Sequence, residues 1–139
     1  MKYIILIVTV FLLGGCVLDS SYISKQRIIN NSNKEISITS FLFDYNTKSY
    51  SFSKKITLKN NDIVSKEVKV FTDQSYNALT FEKMVEGDSI VIDYGDKIKS
   101  YSSRTKDDNR DPYRLDSENK SHDFIYTITP EDYANANQK

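Results

Sequence analysis

Apolar positions along this chain follow two regimes. Over residues 4–13 they are nearly continuous, broken only by Thr9. Beyond residue 24 they alternate with polar residues in short runs, separated by turn-forming clusters; this two-residue period marks half-buried β-strands. The runs predict strands over 26–30, 35–43, 49–58, 63–71, 88–94, 97–102 and 122–129. Residues 77–84 fit a strand or a short helix. Asn30-Asn31-Ser32-Asn33 and Asn60-Asn61-Asp62 read as turns, because asparagine tolerates left-handed backbone angles. Gly95-Asp96 predicts a tight hairpin. Thr129 followed by Pro130, Glu131 and Asp132 predicts a short C-terminal helix to about residue 136, with a capping hydroxyl, proline at the first helical position and acids at the positive end.

Phase within the runs adds detail. In 35–43, Ile36 and Ile38 share one face and Phe41 and Phe43 the other, a slip near Ser40 that predicts a β-bulge or a strand covered on both sides. In 49–58, Tyr50, Phe52, Ile56 and Leu58 share one phase, and Lys54-Lys55 marks a bend or a sheet edge. Residues 105–121 are polar and charged and read as a long loop. No βαβ alternation and no internal repeat is visible. The expected fold is mainly β: an antiparallel β-sandwich, immunoglobulin-like or similar, of about seven strands with a short C-terminal helix.

The apolar run at the start carries a different message. A short charged start at Lys2, a brief apolar stretch and small residues at its end describe a secretory signal. The run is too short to span a bilayer, which takes about 20 apolar residues. Leu13-Gly14-Gly15-Cys16 ends it with the chain's one cysteine and resembles the lipobox of bacterial prolipoproteins. That resemblance implies cleavage after Gly15, diacylation of the Cys16 thiol and acylation of its new amino group. It divides the chain into a lipoprotein signal peptide (1–15), a lipidated tether (16–24) and one sandwich domain (25–139). Val17 rather than aspartate after the cysteine implies passage to the outer membrane, on whichever face. As a whole the chain resembles small, uncharacterised outer-membrane lipoproteins, which implies a β domain and no catalytic residue.

Composition narrows the chemistry. Lys2 leaves with the signal, so the 19 basic residues become 18 against 19 acidic ones. Near-neutrality gives no field for nucleic acid and no polybasic tract for anionic lipid. No cysteine is left for a disulfide. Of four glycines, Gly14 and Gly15 leave with the signal, and Gly87 and Gly95 are too few for a phosphate-cradling loop. His122 is the single histidine. Its neighbours Ser121 and Asp123 project to the opposite face of a strand and form no relay with it. Asp107, Asn109, Asp111 and Glu118 fall at positions 1, 3, 5 and 12 of a calcium loop, but Pro112 holds the position that needs glycine, and Arg110 and Arg114 bring positive charge. Tyr45, Tyr50, Tyr94, Tyr101, Tyr113 and Tyr126 supply either core or a recognition surface.

The expected function is a lipid-anchored, non-enzymatic binding or structural module of the envelope, with the membrane and a protein or glycan as partners and no cofactor. A calcium-dependent glycan binder or enzyme built on 107–118, and an inhibitor of a secreted enzyme, are the alternatives.

Overall fold

The structure, a computed structural model, describes residues 20–71, 79–105, 108–119 and 121–139. The segment expected to be a signal peptide (residues 1–15), Cys16 and Asp107 lie outside the described residues. Among the described residues, eight strands form two sheets, with three short helices in the connections. The strands are β1 (Ser21–Asn30), β2 (Ile36–Asp44), β3 (Ser49–Leu58), β4 (Ile63–Phe71), β5 (Ser89–Asp93), β6 (Lys97–Ser102), β7 (Asp123–Ile128) and β8 (Asn137–Gln138). The helices are α1 (Phe81–Val85), α2 (Pro112–Glu118) and α3 (Pro130–Ala134). The first sheet has the order β4-β1-β7 and the second the order β3-β2-β5-β6-β8. The expected sandwich is thus present, with eight strands among the described residues where about seven are expected.

Four expectations need correcting. β1 begins at Ser21, so the strand takes in 21–24, which read as tether. β7 runs parallel to β1, Lys25 to Asn30 opposite Asp123 to Ile128, so the first sheet is mixed rather than purely antiparallel. The polar stretch 105–121 contains α2, started by Asp111 and Pro112. The chain turns after α3 to add β8, two residues too short to leave a periodic signature.

The core lies between the sheets. Ile28, Tyr126 and Ile128 of the first sheet face Ile36, Ile38, Ile90 and Ile92 of the second. Phe81, fully buried on α1, plugs the gap, its ring edge-to-face with Tyr113, Phe124 and Tyr126 at 5.1, 6.1 and 6.0 Å. Three polar side chains of β1 are also buried, each hydrogen-bonded. Ser24 Oγ and Gln26 Nε2 donate to the Leu79 carbonyl at 3.2 and 3.0 Å. Asn30 Nδ2 reaches the carbonyls of Lys34, Leu58 and Lys59, and its Oδ1 accepts from Ser32. Buried polar groups are tolerated when paired in this way.

The bulge expected near Ser40 is present. Ser40 pairs with Lys54 and Phe41 with Phe52, which leaves Ser53 without a partner in the ladder. The extra residue therefore sits in β3, and it reverses which face each side chain takes. Ile56 and Leu58 turn inward, whereas Tyr50 and Phe52, of the same sequence parity, turn outward; the single phase expected for these four does not hold. The segment 86–88 clamps the bulge. Ser53 Oγ donates to the Glu86 carbonyl, Lys54 Nζ to Glu86 Oε1, and the Asp88 amide to the Phe41 carbonyl. Gly87 is pressed against this strand: a Cβ there would lie 2.8 Å from the Phe41 oxygen and 2.9 Å from Ser40 Cβ.

A second tie joins the loop before α2 to α3. Asp132, buried at the N-terminus of α3, accepts from Arg110 Nε and Nη2 at 3.0 and 2.9 Å, and from the Thr129 amide and hydroxyl at 2.8 and 3.0 Å. Arg110 also donates to the Thr127 carbonyl at 2.7 Å. Burial pushes the Asp132 carboxyl up, but the Arg110 guanidinium and the Thr129 donors together hold it below the ordinary value. The expected capping role of Thr129 is borne out by a complete capping box.

Both ties can be tested by substitution. Asp132→Ala removes the acceptor shared by Arg110 and the Thr129 cap and leaves Arg110 only the Thr127 carbonyl, and chemical denaturation at neutral pH is expected to show a loss of about 1–2 kcal/mol. Because the folded carboxyl is depressed, the stabilisation is present above the ordinary pKa and is lost as pH falls through the lower folded value. Wild type is therefore expected to converge on Asp132→Asn in acid, and a constant gap down to about pH 2 contradicts the assignment. Gly87→Ala, which drives a methyl into backbone, is expected to cost about 1–3 kcal/mol, read as a lowered melting temperature.

Candidate functional site

The bulge delivers a row of aromatic side chains to the outer face of the second sheet. Phe41 and Phe43 on β2 pair with Phe52 and Tyr50 on β3, all pointing away from the core. Phe43 is the hub: its ring meets Tyr45 at 5.2 Å and Tyr50 at 5.0 Å, and the Arg104 guanidinium lies 4.0 Å above it. Arg104 also lies 5.5 Å from the Tyr45 ring, a cation–π arrangement shared between two faces. Tyr45 and Phe52 remain 73% and 65% exposed.

Next to this row, a cleft of about 560 Å³ runs across β5 and β6 to the 103–111 loop. Phe41, Tyr50 and Val91 line its apolar side, and Ser89, Ser100, Ser102 and Thr105 supply hydroxyls. Lys99 and Asp108 form an ion pair on its rim, which holds the Asp108 carboxyl below its ordinary value through the hydrogen bonds from Lys99 and the Arg110 amide. Apolar walls with a few convergent polar groups describe a small-molecule site.

The tyrosines divide accordingly. Tyr94, Tyr101, Tyr113 and Tyr126 are core; Tyr45 and Tyr50 are surface. Burial pushes the Tyr101 hydroxyl up to about 12, so it stays protonated. Tyr113 donates to the Gly87 carbonyl at 2.9 Å.

Three of the four calcium-loop residues are employed elsewhere, and Asp107 lies outside the described residues. Asp111 is buried and caps α2, Oδ1 accepting from the Tyr113 and Arg114 amides at 2.8 and 3.4 Å. Glu118 and Asn109 both accept from Arg114, at 2.9 Å each, so a guanidinium lies between them. Among the described residues no group of three or more histidine, cysteine, aspartate or glutamate side chains is placed to hold a metal ion. His122 stacks on Tyr22 with ring centroids 3.7 Å apart at the mouth of the first sheet. No helix among the described residues is long and apolar enough to cross a membrane.

Sequence reasoning missed Arg104 and the hydroxyls of β5 and β6, because their juxtaposition depends on strand order. The slip at Ser40 was the one signal that put Phe41 and Phe43 outside.

Asp111 yields a test of its structural role. Burial raises its carboxyl above the ordinary 3.8 although three amides, those of Tyr113, Arg114 and Ser102, oppose the rise. A raised acid favours folding fully below the unfolded pKa, and that contribution is lost as pH rises through the folded value. An asparagine at this position would cap as well without burying a charge. The stability of Asp111→Asn relative to wild type is therefore expected to improve between about pH 3 and pH 7, measured by urea titration. A difference that stays flat across that range refutes the assignment.

No family model matches this chain, and neither the curated proteins nor the solved structures contain one that matches it.

Proposed function

We propose that this chain is a lipid-anchored protein of the bacterial envelope, held by Cys16 after cleavage at Gly15, and that its sandwich is a non-catalytic module that binds carbohydrate in the cleft beside Phe41 and Tyr50. The carrying observation is the composition of that cleft: outward aromatic faces on one wall and a run of hydroxyls with an ion pair on the other. A sugar ring has an apolar face of C–H groups and a rim of hydroxyls that both donate and accept. Aromatic rings cover the former, and serine and threonine hydroxyls, which also donate and accept, answer the latter. The volume suits one or two sugar units. Near-neutral net charge leaves recognition to this local chemistry. By its resemblance to prolipoproteins with no aspartate after the cysteine, the anchor lies in the outer membrane.

Two measurements test the two halves. Metabolic labelling with a fatty-acid probe is expected to mark wild type and not Cys16→Ala; label retained in the variant removes the anchor. A saccharide array probed with the detergent-solubilised protein is expected to return ligands whose affinity falls roughly tenfold or more, about 1.4 kcal/mol, in Phe41→Ala and Tyr50→Ala. The cleft reading fails if nothing binds at about 1 mM saccharide, or if both variants bind as wild type does.

A further inference from the structure

The exposed apolar side chains are unevenly placed along the sandwich. β1 rises from Ser21 to Asn30. At Asn30 its side chain is bonded to the carbonyls of Lys34 and Leu58, so β2 starts and β3 ends at that level. Partway down, Ser24 and Gln26 hold Leu79, from which α1 leads to Gly87, packed on Ser40. β2 therefore returns toward the start of β1, and the 45–48 turn projects at the Ser21 end. Phe71 pairs with Ser21 at that end too. The described residues include nine large hydrophobic side chains that are exposed: Ile23, Leu42, Tyr45, Tyr50, Phe52, Val68 and Phe71 lie at or below the level of Ser24 and Ser40, leaving only Ile63 and Ile125 above it. Lys69 lies over the Phe71 ring and Arg104 over Phe43 and Tyr45. The opposite end carries Lys34, Asn60, Asn61, Asp96 and Lys139, all polar.

We infer that the Ser21 end of the sandwich rests on the bilayer that holds the anchor, with Ile23, Tyr45 and Phe71 at the headgroup–acyl boundary and Lys69 and Arg104 among the headgroups. The inference rests on the proposed lipidation of Cys16. Five residue steps separate Cys16 from Ser21, a reach of about 17 Å at full extension, half the length of β1. A tether that short keeps this end within touching distance of lipid and keeps the polar end away. Aromatic rings flanked by lysine and arginine are the side chains that partition to membrane interfaces. The occupant that reach, charge and position select together is the anchor's own lipid surface. The carbohydrate cleft lies on the flank of the second sheet, and the contact residues at the tip are not its lining.

The chain contains no tryptophan, so each tryptophan variant is a single reporter. Tyr45→Trp, Phe71→Trp and, as reference, Ile63→Trp are purified as full chains from membranes and reconstituted into phosphatidylethanolamine–phosphatidylglycerol vesicles with brominated acyl chains. Emission from Tyr45→Trp and Phe71→Trp is expected to fall by about half or more and to shift blue, with Ile63→Trp unchanged. Equal quenching at all three sites, or none at Tyr45→Trp and Phe71→Trp with acrylamide reaching them as freely as Ile63→Trp, overturns the docking. Intact mass separates the two failures. A chain that carries lipid but is unquenched loses only the docked face, and a chain without lipid on Cys16 loses the anchor and the docking argument with it.

Discussion

One unpaired residue decides what this protein shows to its surroundings. A β-strand alternates faces with a period of two, so Tyr50, Phe52, Ile56 and Leu58 would all point into the core of an unbroken β3. The core has no room for that: Ile38 and Ile56 already sit opposite each other, and Phe81 fills the adjacent space. Ser53 resolves the conflict by stepping out of the ladder, and two aromatic rings are transferred to the outer face. The bulge is held from three sides, by Ser40 on its partner strand, by Glu86 through Ser53 and Lys54, and by Gly87 against the backbone of β2. The aromatic wall of the cleft and the aromatic tip both lie below this point, so both readings of function depend on the slip being fixed.

Without a disulfide, the sandwich ties its long connections by buried polar groups. Arg110–Asp132 joins the loop before α2 to the start of α3, Gln26 joins β1 to Leu79 and to Asp116 on α2, and Asn30 joins β1 to the connections on either side of the β2–β3 pair. Each carries several hydrogen bonds. Such networks specify one arrangement of segments, because any other arrangement strands a charge or an amide away from water. They also explain how a chain of modest apolar content builds a defined core: polar side chains occupy inward positions at little cost once their bonds are made.

Much of this is legible in the sequence, and the failures have a common cause. Strands with clean alternation, β5 and β7 above all, match their predicted spans within a residue. So do the asparagine turns, where Asn33 and Asn61 adopt positive φ. The α3 cap is readable because a capping box is a local code. What escapes is non-local. Ser24, Gln26 and Asn30 look like surface residues until Leu79, Lys34 and Leu58 are brought to them. Helix α2 is hidden because five of the seven residues it contains are polar or proline, and it is specified by the Asp111 cap together with the burial of Tyr113. The parallel β1–β7 pairing has no sequence signature, since the connection between them wanders through the second sheet. The phase slip in β2 separates Phe41 and Phe43 from the core-facing isoleucines, as found. It says nothing of Tyr50 and Phe52, because the extra residue is inserted in β3.

The distribution of apolar surface bears on why such a domain would be tethered so closely. Exposed rings beside one another invite association between copies when a protein is free in solution. Confining them to one end removes that hazard only if something covers them there; if Cys16 carries the proposed lipid, the bilayer within reach of the tether would do so without a protein partner. The flank of the second sheet is spared by this arrangement. With the domain anchored as proposed, its cleft would open sideways beside a surface that limits its height and orientation, and a ligand presented close to that membrane would meet Phe41, Tyr50 and the hydroxyls of β5 and β6 in a fixed pose. Binding in that proposed setting would lose less rotational freedom than on a freely tumbling domain, and a shallow site with modest intrinsic affinity would be sufficient. On the proposed lipidation of Cys16, an anchor, an aromatic foot and a lateral cleft form one device, and the slip at Ser53 builds both its lower parts.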